Sequence, residues 1–142
     1  MATRLRWINA LRAPPASLRI LLAEDDETTV FSISRLLEKS GHSVAVAHNG
    51  QEALEMHEAN DFDLILMDVS MPIMDGIEAC QRIRGSGNSH KRDIPIIALT
   101  AYAMTGDKEK FLAAGMSGYV AKPINMETLM QMIAETFAEQ RR

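Results

Sequence analysis

The chain has 142 residues, 46% of them hydrophobic, which is enough for one domain with a full core and too short for two comfortable ones. Its net charge of −4 and pI near 5.5 leave no overall basic field of the kind that captures nucleic acid. A single cysteine, Cys80, excludes an internal disulfide and a cysteine-rich zinc site, and no apolar run approaches the roughly 20 residues of a membrane span, so a cytoplasmic domain is expected.

Residues 1–17, MATRLRWINALRAPPAS, differ in character from the rest. Arg4, Arg6 and Arg12 flank Trp7, Ile8 and Leu11, and Pro14-Pro15 ends any helix. The apolar stretch is too short and too interrupted for a signal peptide, so the segment reads as a linker or N-terminal extension. A basic amphipathic segment that docks on a partner or membrane is the alternative.

From Leu18 to about residue 139 one domain is expected, because apolar runs alternate regularly with helical stripes. RILLA (19–23), SVAVA (43–47), DLILM (63–67), IPIIAL (94–99) and GYVA (118–121) are the strand candidates. Between them, Val30, Ile33, Leu36 and Leu37 mark a helix over 27–40, with Gly41 at its stop. Residues 51–59 have helical composition, and Ile77, Cys80 and Ile83 form a third stripe. Residues 105–114 follow, closed by Gly115, and Asn125 can cap a last helix carrying Met126, Leu129, Met130, Ile133 and Phe137. GSGNSHKRD (85–93) reads as a plain polar loop, since it lacks the spacing of a phosphate loop. Five strand–helix units with near-continuous apolar strands predict an α/β fold, a parallel sheet covered by helices on both faces.

Four of the five strand candidates run into a polar residue of a particular kind. RILLA leads to Glu24, Asp25 and Asp26, DLILM to Asp68, IPIIAL to Thr100 and then the small Ala101, and GYVA to Lys122. Open parallel sheets bind ligands outside the carboxyl ends of their strands. Residues 44, 32 and 22 positions apart, from Glu24 to Asp68 to Thr100 to Lys122, should therefore share one small site. Crowded carboxylates repel unless a cation sits among them, and hard oxygen ligands with open water positions suit Mg²⁺. Asp25 and Asp68 are the expected direct ligands, Glu24 acts directly or through water, and the Ser70 carbonyl is a further candidate. Lys122 can pair with Asp68 or with an anion attached to it. A carboxylate beside Mg²⁺, an ammonium and a hydroxyl is suited to attack phosphorus, giving an aspartyl phosphate.

The motifs LLAEDDE, LILMDVSMPIMDG, IIALTA and GYVAKPI, in that order and spacing, resemble the receiver domain of two-component response regulators. Each motif alone is weak; the four together are specific, and the similarity runs from about Leu18 to Ala138. The resemblance implies a (βα)5, flavodoxin-like sheet in the order 2-1-3-4-5. It implies that Asp68 accepts a phosphoryl group from a phosphohistidine, that Glu24 and Asp25 form the acidic pair, and that Thr100 and Tyr119 form the switch. Ala101 matches the small residue that admits phosphate, Ser70 and Tyr102 the positions that tune phosphoryl lifetime, and the Lys122–Pro123 bond is expected to be cis. The stretch from Ala98 to Ile124 looks most like receivers of hybrid sensor histidine kinases, with a stand-alone regulator as the alternative. Asp26 departs from the asparagine many such receivers carry, and an effect on metal affinity is expected. The implied partner is a histidine kinase or phosphotransfer protein, with no nucleic acid or membrane contact by this domain. The face of the fourth helix, fifth strand and fifth helix is where such receivers meet partners, and a homodimer through it is open.

Rival readings are a small phosphohydrolase with an aspartyl nucleophile and an interaction module that is never phosphorylated. Hydrolases of that kind usually place a second acid two residues after the nucleophile, where this chain has Ser70. His42, His48, His57 and His90 show no ligand spacing and are expected at the surface, whereas Cys80 is expected in the core.

Overall fold

The apolar runs form strands because each is buried on both faces. In the computed structural model, which describes residues 17–101 and 106–140, the strands are β1 (Arg19–Ala23), β2 (Ser43–Ala47), β3 (Leu64–Asp68), β4 (Ile96–Thr100) and β5 (Gly118–Ala121). All neighbours are parallel, in the order β2-β1-β3-β4-β5. The helices are α1 (Glu27–Lys39), α2 (Gly50–Ala59), α3 (Gly76–Arg84), α4 (Asp107–Ala113) and α5 (Met126–Gln140).

Alternate strand residues feed two cores. Ile20, Leu22, Leu64, Leu66, Ile97 and Leu99 pack with Ile33 and Leu37 of α1 and Leu129 and Ile133 of α5. Leu21, Ala23, Ile65, Met67, Ile96 and Ala98 pack on the other face with Ala53 of α2, Ala79, Cys80 and Ile83 of α3 and Phe111 of α4. Each fully buried Leu or Ile contributes about 1.5–3 kcal/mol of transfer free energy. The helix starts follow their caps: Asp26, Asn49 and Asp75 accept N–H bonds from Thr29, Glu52 and Glu78, and Asn125 accepts one from Thr128. No described helix is long and apolar enough to cross a membrane.

Two expectations are corrected. Within 85–93, residues Ser89–Arg92 form a helical turn, because Asn88 accepts an N–H bond from His90 and starts it. His42 and His57 are buried, 5% and 2% exposed, rather than at the surface. Each ring fastens a backbone group that strand and helix pairing leaves over. His42 Nδ1 accepts the Leu18 N–H at 3.0 Å, and His57 Nε2 donates to the Lys91 carbonyl at 2.9 Å. The Lys91 ammonium returns bonds to the carbonyls of His57 and Asn60. Cys80 is in the core as expected, its thiol donating to the Ala114 carbonyl at 3.3 Å and pushed up to about 11 by burial, which leaves it a poor nucleophile.

Candidate functional site

Register brings the polar strand ends together. Ala23 lies opposite Met67, so the chain leaves β1 at Glu24 beside Asp68, the last residue of β3. Asp68 lies opposite Leu99, and Thr100 opposite Ala121, the residue before Lys122. Glu24 is fully buried, Asp68 4% exposed and Thr100 2% exposed, while Asp25 is open to solvent. One carboxylate oxygen from each of Glu24, Asp25 and Asp68 lies within 4.8 Å of the other two, the one such convergence among the described residues.

The charges explain why this cluster is tolerated. Burial and contact with Asp68 push the Glu24 carboxyl above the usual carboxylate range, and the Lys122 bond pulls against them. Burial works to lower the Lys122 ammonium, but Glu24 and Asp68 outweigh it and hold it above its ordinary value. Lys122 Nζ pairs with Asp68 Oδ2 at 3.3 Å, as expected, and also donates to Glu24 Oε1 at the closer 2.7 Å. One ammonium faces three carboxyl groups. The deficit of positive charge and the all-oxygen donor set fit a hard divalent cation such as Mg²⁺.

The remaining expected residues divide. Ser70 is exposed, and its N–H donates to Asp68 Oδ1 at 3.2 Å. Asp26 is not among the three convergent acids; it caps α1 through the Thr29 N–H and hydroxyl, and those bonds hold it below the usual carboxylate range. Ala101 is exposed beside Thr100, and Tyr102 lies outside the described residues. Tyr119 is half-buried, its ring 6.0 Å from that of Phe111, and it lies opposite Ala98 on the face that also carries Thr100. The Lys122–Pro123 bond is cis.

Sequence reasoning left Asp75 and Gly76 without a role, although both belong to the motif. Asp75 caps α3, and the Gly76 N–H bonds to the Val69 carbonyl at 3.0 Å. A Cβ at Gly76 would run into the Asp68 carbonyl oxygen, so only glycine lets the helix start pass this close behind Asp68.

The family model for the response regulator receiver domain matches residues 20–134. The chain belongs to this family. It is 44% identical over 120 residues to hybrid signal transduction histidine kinase I of Dictyostelium discoideum, covering 81% of this chain and 7% of that protein. It is 43% identical over 117 residues to the signal transduction histidine-protein kinase BarA of Shigella flexneri, covering 82% of this chain and 12% of that kinase. The receiver thus spans a small fraction of the length of these relatives. Among solved structures it is similar to the receiver domain of sensor histidine kinase PA1611 from Pseudomonas aeruginosa, with TM-score 0.76, 38% identity, and coverage of 87% of this chain and 99% of that one. That structure holds a magnesium ion coordinated in its active-site cleft.

Proposed function

We propose that this receiver takes a phosphoryl group onto Asp68 from a phosphohistidine on a kinase or phosphotransfer partner, with Mg²⁺ as cofactor. The convergence of Glu24, Asp25 and Asp68 oxygens, with Lys122 in reach of two of them, carries the reading. Asp25, Asp68 and the Ser70 carbonyl would hold the ion, with Glu24 in support; bound there, it would neutralise charge on the transferring phosphoryl. An Asp68 carboxylate oxygen attacks phosphorus, the P–N bond breaks, and the imidazole nitrogen leaves with the electron pair. Lys122 and the Thr100 hydroxyl then stabilise the new phosphoryl oxygens. The Ser70 N–H, already bonded to Asp68 Oδ1, orients the carboxylate for attack.

Thr100 and Tyr119 share one face of the sheet edge, so a Thr100 drawn toward the phosphoryl would vacate space for the Tyr119 ring. The equilibrium between the two arrangements would be what phosphorylation biases, read out on the α4–β5–α5 face. The donor's docking surface would include the apolar groove of about 530 Å³ between α1 and the β5–α5 connection. Ile33, Leu36, Ile124 and Lys122 line it, which makes it continuous with the site. Similarity to hybrid kinases supports a hybrid-kinase origin over a stand-alone regulator.

Acetyl phosphate with Mg²⁺ tests this reading. A receiver gains one phosphoryl mass and holds it for seconds to hours, and chelation abolishes the gain. Continuous multiple turnover with release of phosphate would instead establish the aspartyl phosphohydrolase, and no labelling at all the unphosphorylated module.

A further inference from the structure

Beside the three carboxylates, on the side of Asp25, lies a cleft of about 510 Å³ lined by Asp25, Ser70, Met71, Asp75 and Lys110 among others. Lys110 is the one basic residue of its lining. It is exposed on α4, and its ammonium makes no hydrogen bond or ion pair with any described residue. Arg82, Lys91 and Lys122 are each paired with a carboxylate; Lys39 and Lys108, exposed and, like Lys110, without such a pairing among the described residues, lie outside the lining of this cleft. Asp75, across the cleft, gives a carboxylate oxygen to the Glu78 N–H.

We propose that Lys110 is a positioning residue for the phosphodonor, drawing its anionic phosphoryl oxygens into the mouth of the site. This rests on the phosphoacceptor reading above. A free ammonium at the mouth has two opposite electrostatic effects. It attracts an anion approaching Asp68, and it repels a divalent cation held by Asp25. A surface charge with no access to the mouth would have neither. Across a solvent-filled cleft one unit charge changes encounter and affinity by roughly three- to tenfold, and added salt screens the effect.

The test uses Lys110→Met, which keeps the apolar stem, with Lys110→Glu and Lys110→Arg. Labelling by acetyl phosphate, in which the P–O bond to acetate breaks, is followed at saturating Mg²⁺ in low and high salt, and Mg²⁺ affinity is titrated separately by calorimetry. Lys110→Met should slow labelling roughly three- to tenfold at low salt and tighten Mg²⁺ binding severalfold. Lys110→Glu should do both more strongly, Lys110→Arg should stay within about twofold of the parent, and high salt should erase the differences. Unchanged rates and affinity, or a loss of rate that persists in high salt or comes with weaker Mg²⁺ binding, overturns the assignment. Failure of the parent itself to label would sink the phosphoacceptor reading instead.

Discussion

Ile73 sits at φ 70° with its side chain 83% exposed, in the loop between β3 and α3. A β-branched residue in the left-handed region carries about 1–2 kcal/mol of strain, and so little of this side chain is buried that its contacts offset little of it. Ile73→Asn should therefore stabilise the fold by about 1 kcal/mol, read as a higher urea midpoint at unchanged slope; a lower midpoint would show the loop to be held by contacts of Ile73 itself. The buried histidines give a pH dependence of definite sign. Burial holds His42 and His57 below the ordinary imidazole range, so the folded state keeps both neutral where the unfolded chain, near pH 6.5, takes up protons. The unfolded state binds more protons in that window, so their contribution is full above the unfolded value and declines as pH falls through it toward the depressed folded values. The slope reaches at most about 1.4 kcal/mol per pH unit for each ring. Thermal melts from pH 7.5 to 5 should show it, and His57→Gln should flatten it; an unchanged slope in that variant would remove His57 as a cause. Neither burial was legible in the sequence, because both rings are held by backbone atoms 24 and 34 residues away, Leu18 and Lys91, and no side-chain pattern records such a partner.

At the scale of elements, Arg84 at the end of α3 ties three backbone carbonyls at 2.6–2.8 Å, those of Gly115, Arg92 and Ile94. A guanidinium offers this fork and an ammonium does not. Arg84→Lys should cost about 1–3 kcal/mol, measured by chemical denaturation; a neutral result would mean water replaces the lost bonds. On α1, Phe31 is 61% exposed and Leu36 37% exposed, and Leu36 lines the groove that continues into the site. Phe31→Ser and Leu36→Asp should slow phosphotransfer from a protein donor by roughly tenfold or more while leaving acetyl phosphate labelling intact. Equal losses with both donors would place the defect in the fold rather than in docking. Helix and strand positions were largely legible, since both follow from the period of apolar residues. The shift of β3 and β4 to include Asp68 and Thr100 was not, because a polar residue reads as a strand end even where the ladder continues through it.

For the molecule as a whole, apolar residues fill a core on each face of the sheet, and one rim of the sheet collects the charge of Glu24, Asp25 and Asp68. Repulsion among Glu24, Asp25 and Asp68 is a cost that a divalent cation relieves. Saturating Mg²⁺ at about 100 times its dissociation constant should stabilise the receiver by about 2.7 kcal/mol. Asp25→Ala should abolish that shift, and a full shift in the variant would take Asp25 out of the ligand set. The grouping of Asp68, Thr100 and Lys122 was legible because parallel strands place their carboxyl ends on one rim. The Lys122–Glu24 pairing and the capping role of Asp26 were not, because spacing along the chain does not say which oxygen an ammonium reaches first. The central claim is that the Asp68 carboxylate is the group phosphorylated. Labelling with acetyl phosphate and Mg²⁺, borohydride reduction of the acyl phosphate and peptide mass spectrometry locate the modified residue directly. The modification should map to Asp68 and vanish in Asp68→Asn; a label on another residue, or undiminished labelling of that variant, would contradict it.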